Sequence, residues 1–103
     1  MVSQEDKQLR DYELVVIISP EAEEEAIESV VDRVSRFITE NGGTVSDIDR
    51  WGKRKLAYPI KHFMEGSYVL ARFRMKPQLS RELEASLEIS EEVVRHLLTR
   101  LNS

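Results

Sequence analysis

The chain has 103 residues, enough for one domain with a single modest core. It holds no cysteine, which excludes disulfides and thiolate metal sites, and its longest apolar run, residues 14–18, is far too short to cross a bilayer. The net charge of −4 is unevenly spread: residues 11–49 carry eleven acidic side chains against two basic ones, whereas residues 50–76 carry eight basic ones against Glu65 alone. Such a basic stripe attracts phosphate within about a Debye length, whatever sign the rest of the chain has.

Residues 1–9 are polar, lack periodicity and contain no signal-like apolar stretch, so they read as a flexible lead-in to a domain at residues 10–101. The composition fits a soluble, intracellular chain. Residues 10–18 are short, rich in β-branched side chains and apolar on both faces, the pattern of a central strand. Ser19-Pro20 then offers an N-cap followed by proline at a first helical position. Glu21, Glu23, Glu24 and Glu25 suit the positive end of a helix dipole better than a metal site. Ile27, Val30, Val31, Val34, Phe37 and Ile38 follow at steps of three and four, an amphipathic stripe that Asn41-Gly42-Gly43 brings to a stop.

Residues 44–60 read as extended, with a disturbance at Trp51-Gly52 that marks a bulge and with Pro59 at a strand end or sheet edge. Residues 61–66 read as a hairpin connection with Gly66 as its turn residue. Residues 67–75 alternate. Val69, Ala71, Phe73 and Met75 fall on one face, and Tyr68, Leu70, Arg72 and Arg74 on the other. Pro77 ends this strand, and Leu79, Leu83 and Leu87, four apart, predict a second, shorter helix over residues 78–88. Residues 93–101 suit a helix or a strand by periodicity; topology favours a strand.

The order strand, helix, strand, strand, helix, strand is the split βαβ plan: an α+β, ferredoxin-like βαββαβ fold, with a four-stranded antiparallel sheet and two helices on one face. The other face is left open. Tyr68, Arg72 and Arg74 should lie on it among apolar neighbours, an arrangement that fits a partner better than bare water.

A search for catalytic chemistry finds none. The sequence has no Walker loop, no Gly-x-Gly-x-x-Gly, no glycine-rich phosphate cradle, and no spacing of His62 and His96 with acids that would hold a metal. Ser19-Pro20-Glu21, where an acylphosphatase-like phosphate loop would sit, is acidic and free of glycine. No cofactor is expected. Arg50, Lys53, Arg54, Lys55 and Lys61, by contrast, flank Trp51 and Tyr58 in one hairpin arm. Cations there would hold phosphates and the rings would stack on unpaired bases, or the rings would simply pack the hairpin. Residues 66–73 faintly echo the third-strand signature of the RNA recognition motif, without its paired aromatics.

Trp51-Gly52-Lys53-Arg54-Lys55-Leu56-Ala57-Tyr58-Pro59-Ile60 closely resembles the bacterial small-subunit ribosomal protein S-six family. Tyr12-Glu13, Gly66 with Tyr68, and Val94-Arg95-His96 match at the right distances, so the resemblance spans about residues 10–101. It implies the βαββαβ fold, with residues 93–101 as a strand. It also implies a non-enzymatic, cytoplasmic, ribosome-associated protein that binds the central domain of small-subunit ribosomal RNA, paired with the small basic ribosomal protein S-eighteen. Carried over by position, Arg10, Tyr12, Lys53, Arg54, Lys55, Arg72, Arg74 and Arg95 are RNA-contact candidates. Trp51, Leu56, Tyr58 and Ile60 are partner-contact candidates. The lead-in is longer than is usual for the family, and the chain stops at Ser103 without the acidic tail some members carry. The competing expectations are a metabolite-binding regulatory domain on the same fold and a general RNA chaperone.

Overall fold

In the computed structural model, which describes residues 8–101, the chain forms β1 (Arg10–Ile18), α1 (Glu24–Glu40), β2 (Thr44–Ile60), β3 (Phe63–Met75), α2 (Ser80–Glu88) and β4 (Val93–Arg100). Most of the expected lead-in therefore lies outside the described residues. The four strands form one antiparallel sheet in the order β2-β3-β1-β4. The apolar run of β1 takes an interior position, where both faces are covered in part.

Strand alternation decides which side chains enter the core. Tyr12, Leu14, Val16 and Ile18 of β1 and Val69, Ala71, Phe73 and Met75 of β3 face the helices. Ile27, Val30, Val34 and Ile38 of α1, and Leu83 and Leu87 of α2, close over them. Each large apolar side chain fully buried there, such as Phe73 or Leu14, contributes about 1.5–3 kcal/mol. Both helices lie on this one face.

The end of α1 follows its sequence. The Gly43 amide donates to the Ile38 carbonyl at 2.8 Å and the Gly42 amide to the Thr39 carbonyl at 3.2 Å, a Schellman closure. Gly42, at φ +86°, takes the left-handed position that it requires. The start of α1 differs from expectation. The Ser19 hydroxyl accepts from the Glu21 amide at 3.1 Å and the Ser19 carbonyl from the Ala22 amide at 3.0 Å, so Ser19-Pro20 forms a local turn. The helix begins only at Glu24, with Glu23 as N-cap.

β2 is an edge strand, with register shifts at residues 45–47 and 50–52 and a third between Lys55 and Ile60. The second is the expected bulge, with Gly52 at φ +80°. Pro59 lies on this edge, where no ladder bond is lost. The hairpin turn is not at Gly66. It is formed by Lys61 and His62, both at positive φ, and β3 begins at Phe63. Gly66 pairs with Arg54 inside the ladder instead. The β2–β3 hairpin thus continues past the end of β1, whose Ile18 pairs with Ser67, as an arm. Residues 93–100 are a strand, as topology favoured; a short 3-10 turn at Pro77–Leu79 precedes α2.

Candidate nucleic-acid and partner interface

The open face carries the alternate residues of each strand. By register these are Asp11, Glu13, Val15 and Ile17 on β1, Tyr68, Leu70, Arg72 and Arg74 on β3, Arg95, Leu97 and Thr99 on β4, and Asp47 and Asp49 on β2. The arm folds back over one end of this face. Ile17 points away from the helices yet is only 8% exposed, because the arm covers it. Val15, Ile17, Leu56, Ile60, Tyr68 and Leu97 form the apolar walls of a groove of about 280 Å³, with Tyr58 and Arg95 also lining it. An Arg95 Nη1 hydrogen donates to the Tyr58 hydroxyl oxygen at 2.9 Å, linking arm to β4.

Three of the four expected partner-contact residues, Leu56, Tyr58 and Ile60, therefore meet in one groove. Trp51 lies beside it, stacked on Tyr68 with ring centroids 6.0 Å apart, and its Nε1 donates to Asp49 at 3.0 Å. Val15, Ile17 and Leu97 were not singled out in the sequence. Their signal is an apolar side chain on strand positions that face away from the helices, and Leu97 is 61% exposed there.

The cations are less unified than a linear stripe implies. Arg54 pairs with Gly66, and its guanidinium carbon stands 5.9 Å from the Trp51 ring centroid on the open face. Lys53 pairs with Ser67, whose side chain is buried towards the helices, so Lys53 and Lys55 point to the opposite side of the arm. All three are exposed. Arg72 is paired with Glu13 at 3.0 Å and Arg74 with Asp11 at 3.3 Å, so both guanidinium groups already have carboxylate partners. Arg10 donates to Gln8 at 2.9 Å at the far end of β1. Arg50 belongs to the helix side, ion-paired with Glu24 of α1. The hydrogen bond from Arg50 holds the Glu24 carboxyl below its ordinary value and raises that of the guanidinium.

Tyr12, expected among the RNA contacts, does not reach this surface. It is 4% exposed and its ring stacks on Phe73 at 5.9 Å, inside the core. An apolar run with no polar face does not reveal which alternate residues point inward, and here Tyr12 is one of them. His96 is likewise directed to the helices, with Nε2 3.3 Å from Glu84 of α2. Among the described residues no cluster of three or more His, Cys, Asp or Glu side chains is placed to hold a metal ion, and no helix is long and apolar enough to cross a membrane.

A helix-backed antiparallel sheet whose open face joins an apolar groove to exposed cations and rings defines a ferredoxin-like binding module. The family described as Ribosomal protein S6 matches residues 11–100. The Small ribosomal subunit protein bS6 of Moorella thermoacetica is 44% identical over 90% of this chain and 95% of its own length. That of Carboxydothermus hydrogenoformans is 46% identical over 89% and 96%. The crystal structure of 30S ribosomal protein S6 from Thermotoga maritima superposes with a TM-score of 0.85 at 38% identity, covering 91% of this chain and 89% of that one. The chain belongs to the ribosomal protein S6 family, a family of structural, non-catalytic proteins.

Proposed function

We propose that the chain is a constituent of the small ribosomal subunit, working in the cytoplasm, and that it binds the central domain of small-subunit ribosomal RNA together with ribosomal protein S-eighteen. Family membership and the printed names of the relatives support the subunit assignment. The observation that carries the binding assignment is the arm. It brings an apolar groove and a set of exposed cations to one end of an otherwise acidic molecule. RNA contact falls to Lys53, Arg54 and Lys55, with Arg10, Arg72, Arg74 and Arg95 along the sheet; partner contact falls to Trp51, Leu56, Tyr58 and Ile60 with Leu97. A net acidic chain binds a polyanion more readily when a basic partner shares the site. Family membership does not favour a metabolite-binding regulatory domain.

Sedimentation of tagged protein with dissociated ribosomal subunits tests this reading. The protein should travel with the small subunit and be released with S-eighteen as salt rises. A tagged chain absent from the small subunit would overturn it.

A further inference from the structure

The bulge at Trp51-Gly52 reverses the parity of β2. In an unbroken strand, residues 50 and 53 would point to opposite faces. Here Arg50 pairs with Val69 and Lys53 with Ser67, and both β3 residues are buried towards the helices, so Arg50 and Lys53 share the helix side. They flank a cavity of about 240 Å³ between β2, β3 and the first turn of α1, which Glu24, Gly52 and Ser67 also line.

The donors around this cavity outnumber their acceptors. Ser67 is only 6% exposed and its hydroxyl has no hydrogen-bond partner among the described residues; since no side-chain oxygen or nitrogen sealed from solvent lacks a partner there, this hydroxyl opens into the cavity. Lys53 makes no ion pair among the described residues. No side chain caps α1. The Ala26 and Ile27 amides both turn to the Glu23 carbonyl, at 2.9 and 3.1 Å, which leaves the Glu24 and Glu25 amides without an acceptor in the helix. The nearby acids do not fill the site: Glu24 is held by Arg50, and Glu23 and Glu25 are exposed and outside the lining.

We propose that this cavity binds a phosphate group. Lys53 supplies the charge that Arg50, neutralised by Glu24, does not. Ser67 Oγ supplies a hydroxyl donor, and the start of α1 supplies amides and the positive end of its dipole. A tetrahedral anion with four oxygens uses these donors more fully than a carboxylate with two. Two sources share this chemistry, free phosphate and the backbone of RNA. The site lies on the side of the arm away from Arg54 and the apolar groove, and it shares only Lys53 with the contacts proposed above.

The test uses the full chain, isotope-labelled, and inorganic phosphate, followed by heteronuclear NMR at constant ionic strength with chloride as the control. Phosphate should shift the amides of Glu24, Glu25, Gly52, Lys53 and Ser67 to saturation, and chloride should not. Ser67→Ala deletes an unpartnered hydroxyl, so the thermal midpoint should stay at or above the wild-type value. Its phosphate dissociation constant should nevertheless rise roughly tenfold or more, as expected for the loss of a hydrogen bond to a charged group. Lys53→Gln, at an exposed position, should raise it likewise. A fragment of the central domain of small-subunit ribosomal RNA is then added to the phosphate-bound chain. Displacement of phosphate from these amides makes the RNA backbone the source; persistence of the phosphate shifts makes it free phosphate. Equal shifts in phosphate and chloride, or an affinity unchanged in either variant, overturn the site. That failure leaves the ribosomal assignment standing, and a chain absent from the small subunit leaves the phosphate site standing.

Discussion

Gly66 is placed where a single methyl group would be felt by the whole groove. It is not among the left-handed glycines, which are Gly42 and Gly52, so its requirement is one of space. A Cβ there would lie 2.5 Å from Ile17 Cγ2 and 3.2 Å from the Ile18 carbonyl oxygen. Non-bonded carbons rest at about 3.5–4.0 Å, so roughly an ångström of displacement is needed. Ile17 cannot readily supply it: its methyl branches at Cβ on an interior strand, and the side chain is stiff and 8% exposed. Overpacking of this kind costs about 1–3 kcal/mol, and each 1 kcal/mol lowers the melting temperature of such a domain by about 4–8 °C. Scanning calorimetry of Gly66→Ala should show that loss. Ile17→Ala removes Cγ2, and in that background Gly66→Ala should cost little further, a non-additivity of about 1 kcal/mol or more. Gly66→Ala within about 0.3 kcal/mol of wild type, or equally costly in both backgrounds, would refute the steric argument.

Replacing Lys53, Arg54 and Lys55 together with alanine should leave the melting temperature near wild type, since all three are exposed. It should lower the salt slope of RNA binding by about two to three and remove protection in an RNA footprint; unchanged protection would exclude the arm from the contact. Tyr12→Ala should destabilise the fold by about 3–5 kcal/mol, read by denaturant titration, while the folded fraction keeps its RNA affinity. The folded Glu24 carboxyl titrates below its ordinary value, held there by the hydrogen bond from Arg50, so its contribution is present above the ordinary value and lost as pH falls through the depressed one. Wild type should therefore melt slightly above Glu24→Gln near neutral pH. The gap should close in acid and in high salt, because the pair is exposed and screened.

Periodic features carried most of the architecture. The stripe of α1, the alternation of residues 67–75 and the bulge at Gly52 were all legible because each rests on neighbours in the chain. Features that depend on distant packing were not. Ser19-Pro20 has the composition of a helix start, but the Ser19 hydroxyl is satisfied by the Glu21 amide two residues on, and the turn wins locally. Gly66 looks like a turn residue, yet the turn falls on Lys61 and His62, which adopt positive φ without being glycine. The glycine answers to Ile17, nearly fifty positions earlier in the chain. For the interface, the residue types at residues 51–60 were readable, but the opposed directions of Lys53 and Arg54 were not. They depend on the ladder register beyond the bulge.

The uneven outer margin of β2 has a consequence for the unassembled chain. A long, flat margin with unsatisfied amide and carbonyl groups would recruit strands from other copies and seed aggregation. Here the two bulges at residues 45–47 and 50–52 twist that margin out of line, and Pro59 deletes a donor from it. At the opposite margin β4 is short and carries Arg95 and Arg100, so two copies brought together there would set like charges side by side. The irregularities that shape the arm also interrupt the flat margin along which a second copy would pair.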